Sequence, residues 1–167
     1  VWMESLLIGA VISSTDAASV FSVLRSKKLN LRYGTASILE LESGSNDPWA
    51  YMLTVIILSV MKGGATAGGF VVSLLAQVFF GVGFGALISL GAVYLIKRVR
   101  FDAAGFDAIF VTAIAILSYA LPSAVGGNGY LSCYIVGIVL GNTKISGKTA
   151  LVHFFDGITG FTQILLF

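Results

Sequence analysis

Apolar residues run along the chain in long blocks, and the charged residues between them fall into short groups. The first block covers residues 5–24, interrupted only by Asp16, and is followed by Arg25, Lys27, Lys28 and Arg32. The second covers 33–61 and ends at Lys62. After the glycine-rich GGATAGG a third covers 70–96, before Lys97, Arg98 and Arg100. The fourth, 103–121, is closed by PSAVGGNG, whose proline and glycines break a helix. A fifth covers 130–143 and is bounded by Lys144 and Lys148, and a sixth covers 151–167. Crossing a hydrocarbon core of ~30 Å takes about 20 apolar residues in a helix. Blocks one to four meet that length, while the fifth is short and predicts a tilted, broken or re-entrant segment. The pattern predicts an all-α membrane protein, a polytopic helical bundle of about six segments in a single transmembrane domain.

Composition supports that solvent. The chain is 57% hydrophobic and 11% charged, with a mean hydropathy of +0.95, whereas soluble domains are about a quarter charged. The net charge of +2 and the lack of a basic run with interleaved aromatics exclude a nucleic-acid partner. One cysteine, Cys133, excludes an internal disulfide and a cysteine-built metal cage. The 167 residues open on Val1 without a signal-peptide pattern and stop at Phe167 inside an apolar run, which predicts a piece of a longer protein. The basic groups alternate between the two ends of successive blocks. With the loop after block one inside, nine of the ten Lys and Arg lie inside and only Lys62 outside. Val1 is then extracytoplasmic, and block two runs outward.

Two of the blocks carry polar interruptions. Ser13 to Phe21 reads SSTDAASVF, and Ser, Thr and Asp ahead of Ala-Ala form an N-cap signature. A helix is therefore expected to restart there, near the middle of block one. Backbone freed inside a membrane is tolerated only in protein or a wet cavity. In block two, ELESGSNDPWA places Asp47 near the middle, and Pro48 cannot donate to the carbonyl of Gly44. Ser43 and Asp47 share a face at i and i+4, as do Glu42 and Asn46. Thr15, Asp16, Ser43, Asn46 and Asp47 are thus expected at one depth, an all-oxygen site suited to a hard monovalent cation without its water. A charge at the bilayer centre costs at least about 2.5–3.5 kcal/mol and marks a functional site by default. Low dielectric favours a neutral acid and a bound cation favours the carboxylate. Protons and cations would compete for one group, the coupling an antiporter needs. Paired helix breaks near the midplane are also the sequence mark of a transporter site.

STDAA followed some thirty residues later by ESGSNDP resembles the monovalent cation:proton antiporters of the NhaP type. The likeness continues through GNGYLSCYIVGIVLGN and HFFDGITGFTQILLF, and is greatest to the potassium/proton antiporters of cell volume regulation. It implies an inverted-repeat fold with a discontinuous helix. It implies that Asp47 alternately binds proton and cation (K+ or Na+), with Asp16, Ser43 and the Thr15 carbonyl as further cation ligands. Asn46 would be the asparagine of an Asn-Asp pair, which accompanies electroneutral exchange. Glu42 would be a structural ion-pair partner of an arginine on a later helix; no Arg follows Arg100, so that partner is expected beyond Phe167. The resemblance further implies a multi-pass protein of the bacterial inner membrane, no cofactor, a role in pH and volume homeostasis, and a homodimer in the full-length protein.

Other features receive plainer readings. Ser13, Ser14 and Ser45 are expected to bond back to the helix. GxxxG at Gly81/Gly85 and at Gly137/Gly141 is expected to serve close helix packing. Asp102 and Asp107 read as interfacial charges, Trp2 and Trp49 as interface or packing residues, and His153 lies too near an edge for a serine-histidine protease. Glu40 has no role beyond a cytoplasmic funnel. An intramembrane aspartyl protease would also use two membrane aspartates, but its GxGD-like turn is missing around Asp47. A channel would need a polar pore that blocks three to five cannot line. Transport rather than enzymatic chemistry is the expectation.

Overall fold

The computed structural model describes residues 1–15, 31–63, 67–98, 105–145 and 147–166. Every described element is helical: α1 (Trp2–Ile12), a 3-10 turn (Arg32–Gly34), α2 (Thr35–Met61), α3 (Ala67–Arg98), α4 (Phe106–Ala124), α5 (Gly129–Asn142) and α6 (Lys148–Leu166). Among the described residues, two helices are long and apolar enough to cross a membrane, over Gly68–Arg98 and Phe106–Ala124. α2 is long enough at 27 residues, but Glu40, Glu42 and Asp47 interrupt its apolar run. α1 and α5 are apolar and shorter. α5 is an unbroken helix of 14 residues, about 21 Å long at 1.5 Å per residue.

The helix order follows from who touches whom. Asn128, at the start of α5, meets Gln77 and Pro48, while Tyr134 further along α5 meets Leu41. α5 therefore runs antiparallel to α2. Gly81 abuts Asn128 and Leu131, and Gly85 abuts Ser132 and Ile135, so α3 and α5 run parallel. α4 opposes both, with Tyr119 beside Gly129 and Ile114 packed in a cluster with Ala92, Val136 and Leu140. Arg32, Lys97, Arg98, Lys144 and Lys148 consequently gather at one end of the bundle and Lys62 at the other. This is the alternation the basic residues predict.

Gly81 and Gly85 explain how α3 and α5 approach. A methyl at Gly81 would stand 2.9 Å from the Asn128 carbonyl oxygen, and one at Gly85 would stand 3.1 Å from the Ser132 backbone. The second GxxxG behaves differently, because neither Gly137 nor Gly141 has another described atom within 4 Å of such a methyl. Between α4 and α5 the chain turns through Gly126, whose φ of +77° suits a residue without a side chain. Pro122 sits inside the last turn of α4 rather than ending it, and its carbonyl accepts from Val125 and Gly127.

The bundle's interior mixes apolar residues such as Met52, Ile56 and Val136 with polar ones, and its outside is apolar. Gln77, Ser89, Ser118, Asn128 and Ser132 are buried, while Val72, Leu75, Phe79, Leu87 and Leu90 of α3 face outward. Small and polar residues at helix contacts, with apolar residues outward, are how helices pack where hydrocarbon is the solvent.

Candidate functional site

The sequence expects two interrupted helices, and the structure gives each a different form. α1 ends at Ile12, with Ser13 still helical in backbone and Ser14 and Thr15 outside the helix. Thr15 lies three residues past the end of α1, and its carbonyl turns to α2 rather than to its own helix. The expected restart, with Asp16, lies outside the described residues, as does the side chain of Glu40. α2 does not break at Pro48: the helix is continuous from Thr35 to Met61 with the proline inside. A proline removes a single i→i−4 bond, and here the ring is fully buried. The interruption at Pro48 is therefore the loss of one donor to the Gly44 carbonyl, and not a break in the helix.

The end of α1 meets the middle of α2. Ser43 is buried and donates from Oγ to the Thr15 carbonyl at 2.5 Å. Asn46 Nδ2 donates to Thr15 Oγ1 at 2.5 Å and reaches Glu42 Oε1 at 3.5 Å. Ser14 Oγ donates to Asp47 Oδ1. These contacts join residues 28 to 33 positions apart in sequence, so the fold and not local chemistry assembles them. Asn46 spends its amide protons on Thr15 and Glu42, and its Oδ1 is buried without a hydrogen-bond partner among the described residues. A buried acceptor left open is costly unless something fills it.

Four of the five expected site residues, Thr15, Ser43, Asn46 and Asp47, therefore come together. Glu42 lies on the same helix one turn before Asn46. The group is made of hydroxyl, amide, carbonyl and carboxylate oxygens, the ligand type of hard cations. Ser14 was expected to bond back to its own helix and instead touches the carboxylate. Its place in SSTD carries no mark that separates it from Ser13, which does bond back, to Ala10 at 2.7 Å.

Behind α2, Asn128 and Tyr134 of α5 were also not singled out by the sequence. Asn128 Nδ2 donates to the Pro48 carbonyl at 2.9 Å and Tyr134 Oη to the Leu41 carbonyl at 3.0 Å. The only sequence signal at Asn128 is that an asparagine precedes a helical run, an N-cap it does supply, to Leu131 N at 3.0 Å.

A family model described as sodium/hydrogen exchanger, transmembrane, matches residues 1–167. The chain belongs to the sodium/hydrogen exchanger family. Among individual relatives of this exchanger chain, a K(+)/H(+) antiporter NhaP2 from Shewanella oneidensis is 39% identical across 99% of the chain. A K(+)/H(+) antiporter NhaP from Alkalimonas amylolytica is 36% identical across the same share. A probable Na(+)/H(+) antiporter 2 from Methanocaldococcus jannaschii is 27% identical across 97%. The chain spans 29% of the length of the first two and 40% of the third. No solved structure matches.

Proposed function

We propose that the protein containing this chain is a secondary antiporter that exchanges K+ or Na+ for H+ at the meeting of α1 and α2. The observation that carries the reading is the set of bonds across that meeting: Ser43 to the Thr15 carbonyl, Asn46 to the Thr15 hydroxyl, and Ser14 to Asp47. They gather oxygens around one carboxylate. Asp47 lies twelve residues from the start of α2 and fourteen from its end, about 18–21 Å from either by helix rise, which supports a place near the bilayer midplane. The family and its relatives' names support the ion class.

Asp47 holds the proton or the cation, never both, because each neutralises the same charge. The cation takes oxygens from Ser43, Thr15, Asn46 and, beyond the described residues, Asp16. Proton binding returns Asp47 to a neutral donor that can bond the same oxygens without the ion. An Asn at position 46 leaves Asp47 without a second carboxylate directly beside it, consistent with electroneutral exchange. Glu42 stays at the edge, held by Asn46 and available to an arginine elsewhere in the protein. The multi-pass architecture, with a crossing pair of discontinuous helices from an inverted repeat, would supply the second half of the site.

The test is Asp47→Asn in the full-length protein, reconstituted in vesicles. Cation-driven proton movement should vanish for K+, Na+ and Li+ alike, with expression and thermal stability retained. Exchange at the wild-type rate would refute the assignment.

A further inference from the structure

α5 grips α2 on both sides of the ion-binding stretch. Asn128 is fully buried, and each of its polar groups is in use. Its backbone N–H donates to Gln77 O at 3.1 Å, its carbonyl accepts from Ser132 N at 3.2 Å, its Oδ1 accepts from Leu131 N and its Nδ2 donates to Pro48 O. Capping α5 needs only the acceptor, and serine or aspartate would serve equally. The amide protons are what the cap does not explain, and one of them goes to α2. Six residues along α5, Tyr134 donates to Leu41 O. Its ring also lies against Gly44, where an added methyl would stand 2.6 Å from Cε2.

The two grips match in length. Six residues of α5 rise about 9 Å and the seven from Leu41 to Pro48 about 10.5 Å, so antiparallel helices bring both pairs together without bending either. Between the grips lie Glu42 to Asp47, including Ser43, Asn46 and Asp47. This stretch also contains Gly44, whose carbonyl has no N–H to accept from at Pro48, the point where α2 is least able to hold its own shape.

We propose that Asn128 and Tyr134 are positioning residues for cation binding, fixing the course of α2 so that Ser43, Asn46 and Asp47 meet the end of α1. This rests on the reading of that stretch as the cation site. Neither residue touches the ion. Each acts through a backbone carbonyl of α2, and losing either lets the oxygens spread.

The test uses full-length protein in proteoliposomes, with KM for the cation, maximal rate and pH profile measured for three variants. Tyr134→Phe removes only the hydroxyl. Asn128→Ser keeps the cap acceptor and loses the reach to Pro48. Asp47→Asn reports on the underlying site. Each of the first two should raise the cation KM about three- to tenfold, the worth of one hydrogen bond in this setting. Maximal rate at saturating cation should be largely kept, and the pH at which protons displace half the cation should rise. A wild-type KM in either variant overturns the role given to that residue, as does a lower rate and protein yield at unchanged KM, which is the mark of scaffolding alone. Tyr134→Phe keeps the ring against Gly44, so it answers the question even if Asn128→Ser fails to fold. Exchange surviving in Asp47→Asn would instead refute the site itself.

Discussion

Gly129→Ala tests how tightly the fold holds α5 against its neighbours. A methyl at Gly129 would stand 2.5 Å from the Tyr119 carbonyl oxygen, 2.5 Å from Ser123 Oγ and 2.7 Å from Tyr119 Cδ2. The hydroxyl could rotate away, but the carbonyl belongs to the backbone of α4 and already accepts from Ser123 at 2.6 Å. Reaching ordinary contact near 3.4 Å requires α5 to retreat by about 0.9 Å. Gly129 follows Asn128 directly, so the same shift displaces Asn128 relative to its partner Pro48 O. Overpacking costs about 1–3 kcal/mol. Gly81→Ala meets its nearest backbone atom at 2.9 Å and Gly85→Ala at 3.1 Å, so their costs should be smaller in that order. Thermal unfolding of the detergent-solubilised full-length variants, followed by tryptophan fluorescence, gives the ranking. Gly129→Ala should also weaken cation affinity. Equal stability for all three, or Gly85→Ala as the most damaging, would show that these helices are not packed at the distances described.

Ser43→Ala removes the donor to Thr15 O, and apparent cation affinity in isotope uptake should fall about five- to thirtyfold, from about 1–2 kcal/mol for a buried acceptor left open. Ser89→Ala, also buried but bonded within its own helix, should leave it unchanged. Pro48→Ala restores an N–H that can donate to the Gly44 carbonyl, so the protein should gain thermal stability while exchange slows; wild-type exchange would show that the bond missing at Pro48 has no part in transport.

What could be read from the sequence was what depends on short spacing. Glu42 and Asn46 meet as i and i+4 residues do, and Gly81 and Gly85 allow the close approach their pattern predicts. The same pattern at Gly137 and Gly141 predicts an equal approach, and no described neighbour supplies it. Pattern alone shows that a face is smooth and not what lies against it. In sequence Pro48 marks a break, because proline destabilises an isolated helix, yet α2 passes through it. Asn128 lies eighty residues away in sequence, and no periodicity reports so distant a support. The shortness of α5 was legible, but not that it stays an unbroken helix, which follows from its packing against α2, α3 and α4 together.

The hydroxyls show why the site was partly legible and its supports were not. Ser13, Ser45, Ser89, Thr54, Thr112 and Ser123 all bond back to a carbonyl three or four residues earlier. In a membrane that is the default for a hydroxyl with no other partner, and it tells little about function. Ser14, Ser43 and the Thr15 hydroxyl instead bond across elements, to a carboxylate, a carbonyl past the end of α1 and a side-chain amide respectively. The polar runs that carry these groups are visible in sequence. The donors that converge on them are ordinary residues until the fold brings them within reach. Ser14 and Ser13 therefore read alike in sequence, although one bonds the carboxylate and the other a helix turn.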